Sequence, residues 1–398
     1  MKNLVVAIVS IAAFCALTSL THAQSCSPTP PAIPLTDFTT QNWCGFRGLL
    51  YDSPDNMSSS NTPPSVYATQ GISVAKNQIY LRNPAGGKDT THGWVVVVAI
   101  GQSNWTLEMC NSAGSGCPGT NGNFMFQVGQ QQTAGVVNPR IVVVDCASGS
   151  RAPVDWQNDT AGYYTDCASR IASATPSGSA TLTEKQVQVV LYKDSDPNLG
   201  TPAFPLLNPL TTSGCDSTHF HNPPTPAVDS DACDYEFYVG TTARFLKTRY
   251  LNIQQMFVHS RIYAGYSNEF DTDTPSSPEP FAYEYGFGTK WLVSAQARQI
   301  AGFSTGDTVA GNLSLTVAPW IGWGPYFWAN GGTARNDGLC WVTTNYTTPG
   351  SNNYIHPSNS GIQKVGNMLI NGYVTSPLSK PWFAVTGATA PDPGPSCP

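Results

Sequence analysis

Charge is what this chain has least of. Only 11% of its residues are Asp, Glu, Lys or Arg, against about 25% in typical soluble domains. The formal balance is −6. A chain poor in basic residues and negative overall carries no electrostatic footprint for a polyanion, which argues against nucleic acid and anionic membrane surfaces as partners. Apolar runs are equally scarce. Beyond Leu4–Leu20 no stretch is long enough to cross a bilayer, so no membrane insertion is expected. Metal-ligand spacing is missing too: no Cys-x-x-Cys and no Cys/His cluster has the separation zinc needs, so neither metal nor cofactor is expected. Internal repeats are absent. Disorder is excluded in its turn, because 40% of the residues are hydrophobic and 11% aromatic.

What the chain has instead is neutral polarity. Thr, Ser, Asn and Gln supply the surface, as in many extracellular proteins, and amides beside aromatics also suit sugars. The N-terminus reads as a targeting signal: Lys2, then Leu4–Leu20, then Thr21-His22-Ala23, with cleavage after Ala23. The expectation is a secreted, extracellular or periplasmic protein with a leader over 1–23 and one domain over 24–398. Cys15 leaves with the leader. Ten cysteines remain, at 26, 44, 110, 117, 146, 167, 215, 233, 340 and 397, and an even number in an exported chain predicts disulfides. The near neighbours 110/117, 146/167 and 215/233 are candidate local pairs. Residues 24–36 and 389–398 are Pro-rich extensions.

Five strands are expected, at Trp94–Ile100, Arg140–Val144, Val187–Tyr192, Ile253–His259 and Leu313–Pro319. The first three are continuous β-branched runs, the pattern of strands buried on both faces of a parallel sheet. Helical spacing runs over Tyr235–Tyr250, Pro280–Ile300 and Ser358–Tyr373, the last with a capping serine. Alternation of the two predicts an α/β sandwich around a mostly parallel sheet, with long disulfide-stapled loops. Chemistry then belongs at the carboxyl ends of the strands.

One strand ends in a way that invites chemistry. "VVVVAIGQSN" carries Val95–Ile100 into Gly101 and then presents Ser103 at a strand-to-helix turn. A serine hydroxyl is a weak nucleophile until an imidazole accepts its proton. His356, in "NNYIHPSNSG" just before the last helix, can reach back over the sheet edge. Among the remaining histidines, His22 leaves with the leader, His92 precedes the first strand and His259 ends a strand. His219 and His221 lie in a Cys-bounded loop with no third metal ligand in view. Arg261, Glu284 and Lys290 are either substrate contacts or structural charges. The tryptophans of "PWIGWGPYFW" (319–328) either stack on sugar rings or fill the core.

Ser103 in "AIGQSN" together with "IHPSNSG" resembles the SGNH (GDSL-type) hydrolase superfamily. The stretches "GLLYDSPDN", "NPRIVVVDCASG", "QVQVVLYKDSDPN", "VHSRIYAGYSNEF" and "PEPFAYEYGFGTKWL" resemble a poorly characterised secreted bacterial branch of it, over most of residues 45–375. The resemblance implies a three-layer, flavodoxin-like fold and hydrolysis of acyl or acetyl esters, often on carbohydrates or lipids. It implies Ser103 as nucleophile and His356 as general base, with N–H groups of Ser103 and Gly149 as oxyanion donors. Two positions depart from the family. Asp194 stands where a third donor, an amide side chain, is usual, with Asn104 and Asn268 as substitutes. Asn353 stands where the family's aspartate orients the histidine, with Asp337 as a spatial replacement. The expected function is therefore a secreted serine esterase acting on an extracellular glycan ester. The alternative is a weakened or inactive carbohydrate-binding or cell-surface protein on the same fold.

Overall fold

The computed structural model describes residues 33–39, 42–110, 122–195, 204, 214–217, 220–225, 229–270, 279–303, 307–347, 354–391 and 397. The leader expected over 1–23 lies outside them.

Five parallel strands form the central sheet: β1 (Val95–Gly101), β2 (Ile141–Asp145), β3 (Val187–Lys193), β4 (Gln255–Val258) and β5 (Trp320–Trp323). Their spatial order is β2-β1-β3-β4-β5. That is the flavodoxin-like, doubly wound order, with the chain reversing direction across the sheet beside β1. Every residue of β1 and β3 is buried. This is why β1 reads as an unbroken apolar run and β3 as one interrupted only by Gln188 before its closing Lys193, rather than as alternating strands.

Helices flank the sheet: α1 (Ser65–Asn77), α2 (Ser103–Met109), α3 (Phe124–Thr133), α4 (Tyr163–Ser173), α5 (Asp231–Arg249), α6 (Gly265–Phe270), α7 (Phe281–Ile300), α8 (Asn359–Thr375) and α9 (Lys380–Phe383). Helix α8 packs against α2, α3 and α9, and α5 packs against α7. Helix α7 is buried on nearly every side, from Ala282 to Ala297. It lies close to α5 because Gly288 has no side chain: a Cβ there would stand 2.8 Å from Ala232 O. The fold is thus the expected α/β sandwich around a parallel sheet.

One expected strand is misplaced. Leu313–Pro319 is a turn, and the strand is the next four residues, Trp320–Trp323, in register with Gln255–Val258. The turn backbone finds its partners on a side chain instead. Gln296 Nε2 donates to Leu313 O and Pro319 O at 2.9 and 2.8 Å, while its Oε1 accepts Ile321 N–H at 2.7 Å. Trp320, Trp323 and Trp328 are buried, so these rings pack in the core. Ser358 occupies the N-cap position of α8, but its hydroxyl donates to Thr344 O at 2.7 Å and does not cap the helix.

Disulfides join Cys146 to Cys167, Cys215 to Cys233 and Cys340 to Cys397. Cys44 and Cys110 are disulfide-bonded as well. Two of the expected local pairs are therefore present. The third involves Cys117, which lies outside the described residues, as does Cys26. Among the described residues no helix is long and apolar enough to cross a membrane.

Candidate active site

The handover from β1 to α2 explains the glycine in the motif. Gly101 has φ +152°, and a Cβ there would overlap the carbonyl oxygen of Lys193 at the end of β3. Only glycine lets the two strand ends approach this closely. Gln102 then leaves the strand, and its carbonyl accepts Trp105 N–H and Thr106 N–H at 2.9 and 3.1 Å. Ser103 becomes the first residue of α2.

Helix α2 is fixed from beneath by two buried contacts. The Trp105 indole N–H donates to Leu191 O at 3.0 Å. Lys193 Nζ donates to both Glu108 carboxylate oxygens, at 2.6 and 2.5 Å. Burial in opposite senses pushes the Glu108 carboxyl up and the Lys193 ammonium down to about 8. The pair keeps both groups satisfied in a place where either alone would be costly.

His356 arrives on the loop before α8. Its carbonyl accepts Thr347 N–H at 2.9 Å and the Thr347 hydroxyl at 3.2 Å. The adjoining Ile355 carbonyl accepts the Asn104 amide at 3.2 Å. Asn104 is buried, so the residue after the candidate nucleophile holds the histidine loop. His356 Nε2 stands 2.9 Å from Ser103 Oγ. Desolvation and the positive Arg261 push the imidazole below its usual range, which keeps it neutral and able to accept a proton.

The turn after β2 comes beside this pair. Cys146 N–H donates to Ala99 O and Ser148 N–H to Gly101 O, both at 2.9 Å. A Cβ on Gly149 would lie 3.9 Å from Ser103 Cβ. Among the described residues, neither Ser103 N–H nor Gly149 N–H has a protein acceptor.

The other candidates fall elsewhere or are engaged. Asp194 is buried. Its carboxylate accepts Ser195 N–H at 2.8 Å and the Tyr192 hydroxyl at 3.4 Å. Asp337 pairs with Arg335 and accepts Leu339 N–H at 3.1 Å. Asn353 lies outside the described residues, and so does the side chain of Asn268 in α6. Lys290 is a structural charge: it reaches Asp52 at 3.0 Å and the Gly48 carbonyl at 2.7 Å. Glu284 is buried, and desolvation raises its carboxyl to about 8. His221 pairs through Nδ1 with the buried Asp229, while His219 lies outside the described residues. Among the described residues no group of three His, Cys, Asp or Glu side chains is disposed to hold a metal.

Sequence reasoning passed over one network. Ser195 Oγ accepts hydrogen bonds from Gln102 Nε2 and from Arg261 Nη1. It links the segments that follow β1, β3 and β4, and Gln102 directly precedes Ser103. The only signal was positional, since each residue follows a strand end by one to three places.

No family model and no curated protein matches the chain. Among solved structures it is similar to protein YXIM of Bacillus subtilis, at 11% identity and a TM-score of 0.30, over 72% of this chain and 58% of that one. It is also similar to a protein of Parabacteroides merdae described as a GDSL-like lipase, at 13% identity and a TM-score of 0.31, over 74% of this chain and 98% of that one. The chain thus spans little more than half the length of the Bacillus protein.

Proposed function

We propose that this chain is a secreted serine ester hydrolase of the SGNH type, with a leader over 1–23 and one domain over 24–398. It removes acyl groups, acetyl among them, from an extracellular carbohydrate. The observation that carries the reading is the 2.9 Å separation of Ser103 Oγ and His356 Nε2 at the end of β1, which is hydrogen-bond reach for proton transfer.

In this reading His356 takes the hydroxyl proton as Ser103 attacks the ester carbonyl. The oxyanion forms against the Ser103 and Gly149 N–H groups. Collapse expels the alcohol, which takes the proton back from His356, and leaves an acyl-serine. Water, deprotonated by His356, then releases the acid and restores the serine. In sequence, Asn353 stands three residues before His356, where the family's orienting aspartate is usual. The disulfides suit an oxidising, extracellular setting.

A second reading, a weakened or non-catalytic sugar-binding protein, draws on Asp194, a buried carboxylate where the family uses an amide donor. One experiment separates the two. Ser103→Ala is expected to abolish hydrolysis of 4-nitrophenyl acetate while shifting unfolding free energy by no more than about 0.5 kcal/mol. Equal rates in both forms refute the nucleophile. No hydrolysis by either form, with glycan binding by both, favours the second reading.

A further inference from the structure

We infer that Arg261 receives an anionic group of the substrate, so that the ester accepted here carries a carboxylate close to the scissile acyl group. The inference rests on the esterase reading and narrows its substrate class.

Arg261 stands three residues beyond β4 and is only 3% exposed. A guanidinium offers five N–H donors in a fixed, planar fork. Among the described residues it forms no ion pair, and the Ser195 hydroxyl is its one hydrogen-bond partner. Its Nε is buried and unpartnered. The acids whose field reaches it are held by other donors. Glu108 is held by Lys193. Asp194 accepts Ser195 N–H and the Tyr192 hydroxyl. Glu279 accepts Ala264 N–H at 3.0 Å, Tyr283 N–H at 3.2 Å and the Trp328 indole N–H at 2.8 Å.

A buried guanidinium that, among the described residues, bonds only the Ser195 hydroxyl and leaves Nε unpartnered is unfavourable by itself. A planar acceptor with two oxygens fills such a fork, and a carboxylate is the best match. The location makes that anion a substrate group. Ser195 bridges Arg261 to Gln102, and Gln102 directly precedes Ser103. The same positive charge acts on His356. An anion at Arg261 therefore also offsets the charge that opposes protonation of the imidazole during attack.

The test uses two esters that differ in one carboxylate: mono-O-acetylated methyl glucoside and mono-O-acetylated methyl glucuronoside. Wild-type protein is expected to prefer the glucuronoside in kcat/KM by about tenfold or more. Arg261→Gln is expected to bring the ratio near unity, and Arg261→Lys to retain part of it. A titration independent of turnover accompanies this. Ser103→Ala protein is expected to bind glucuronate and not glucose, and to lose that binding on adding Arg261→Gln. Equal kcat/KM on the two esters in wild type overturns the inference and leaves the esterase reading standing. Glucuronate binding without hydrolysis of either ester sustains the anion site and overturns the esterase reading. Failure of glucuronate to bind any folded form overturns the inference, and needs no Arg261 variant to be stable.

Discussion

Two residues flanking the serine do more for its geometry than their chemistry suggests. Gly101 ends β1 against the Lys193 carbonyl that ends β3, and it sits at a backbone angle that side-chain-bearing residues rarely adopt. Gly101→Ala combines that strain with a backbone overlap. It is expected to lower stability by at least about 2 kcal/mol, read from the urea midpoint at unchanged slope. An unshifted midpoint would show that the strand ends can part freely. Asn104 works in the opposite direction, from the Ser103 helix to the His356 loop. Asn104→Ala removes the bond to Ile355 O, a loss of about 0.5–1.5 kcal/mol in stability. The larger effect is expected in turnover: a histidine loop freed by even an ångström loses about a hundredfold in kcat, with KM little changed. A change confined to KM would mean that Asn104 contacts substrate and does not position His356. Gly101, Ser103 and His356 were all legible in the sequence, because a glycine ending an apolar run and a histidine leading into a helix are local signals. The Gln102–Ser195–Arg261 link was not. It joins residues from three strand ends through polar side chains, and no periodicity marks such contacts.

Elements tell the same story through burial. Strands β1, β2 and β3 were readable because parallel strands covered on both faces keep no polar side to obscure the run. The last strand lies a few residues beyond its sequence signal. Leu313–Pro319 has the apolar alternation of a strand, yet the Gln296 side chain takes its carbonyls while the tryptophan-rich segment pairs with β4. The anchoring of α2 was equally hidden, since a lysine ending a strand and a glutamate within a helix look like surface charges until the fold buries both. Lys193→Met leaves the Glu108 carboxylate buried and alone, and is expected to cost about 3–5 kcal/mol. Lys193→Met with Glu108→Leu is expected to recover most of that loss. Additive losses in the double variant, measured by denaturant unfolding, would show that the two charges do not depend on each other.

At the scale of the whole molecule, acid stability is set in part by a histidine far from any surface. His259 Nδ1–H donates to Tyr192 O at 3.0 Å, and its Nε2 accepts the Tyr373 hydroxyl at 2.6 Å. Desolvation pushes its pKa down to about 3, against about 6.5 in an unfolded chain. Between those values the unfolded state binds the extra proton. This contribution to stability is therefore complete above pH 6.5 and is lost progressively as the pH falls toward 3. The expected slope approaches 1.36 kcal/mol per pH unit, about one proton, with His356 adding in the same sense. Denaturant unfolding of wild type and His259→Gln from pH 7 to 4.5 checks it. Parallel slopes in the two proteins would remove His259 from the account.

The burial of Asn104 also bears on which cells can make this protein. Asn104-Trp105-Thr106 is an acceptor sequence for N-linked glycosylation. In a eukaryotic secretory pathway the glycan is added to the nascent chain, before α2 has docked. A sugar on Asn104 cannot enter the folded interior, where this side chain is 1% exposed. Material made in yeast is thus expected to divide into unmodified, folded protein and a modified fraction that the host retains or degrades. Thr106 offers a clean remedy, because its buried hydroxyl has no hydrogen-bond partner. Thr106→Val erases the acceptor sequence at little structural cost and is expected to raise the secreted yield in yeast while leaving the yield from a bacterial periplasm unchanged.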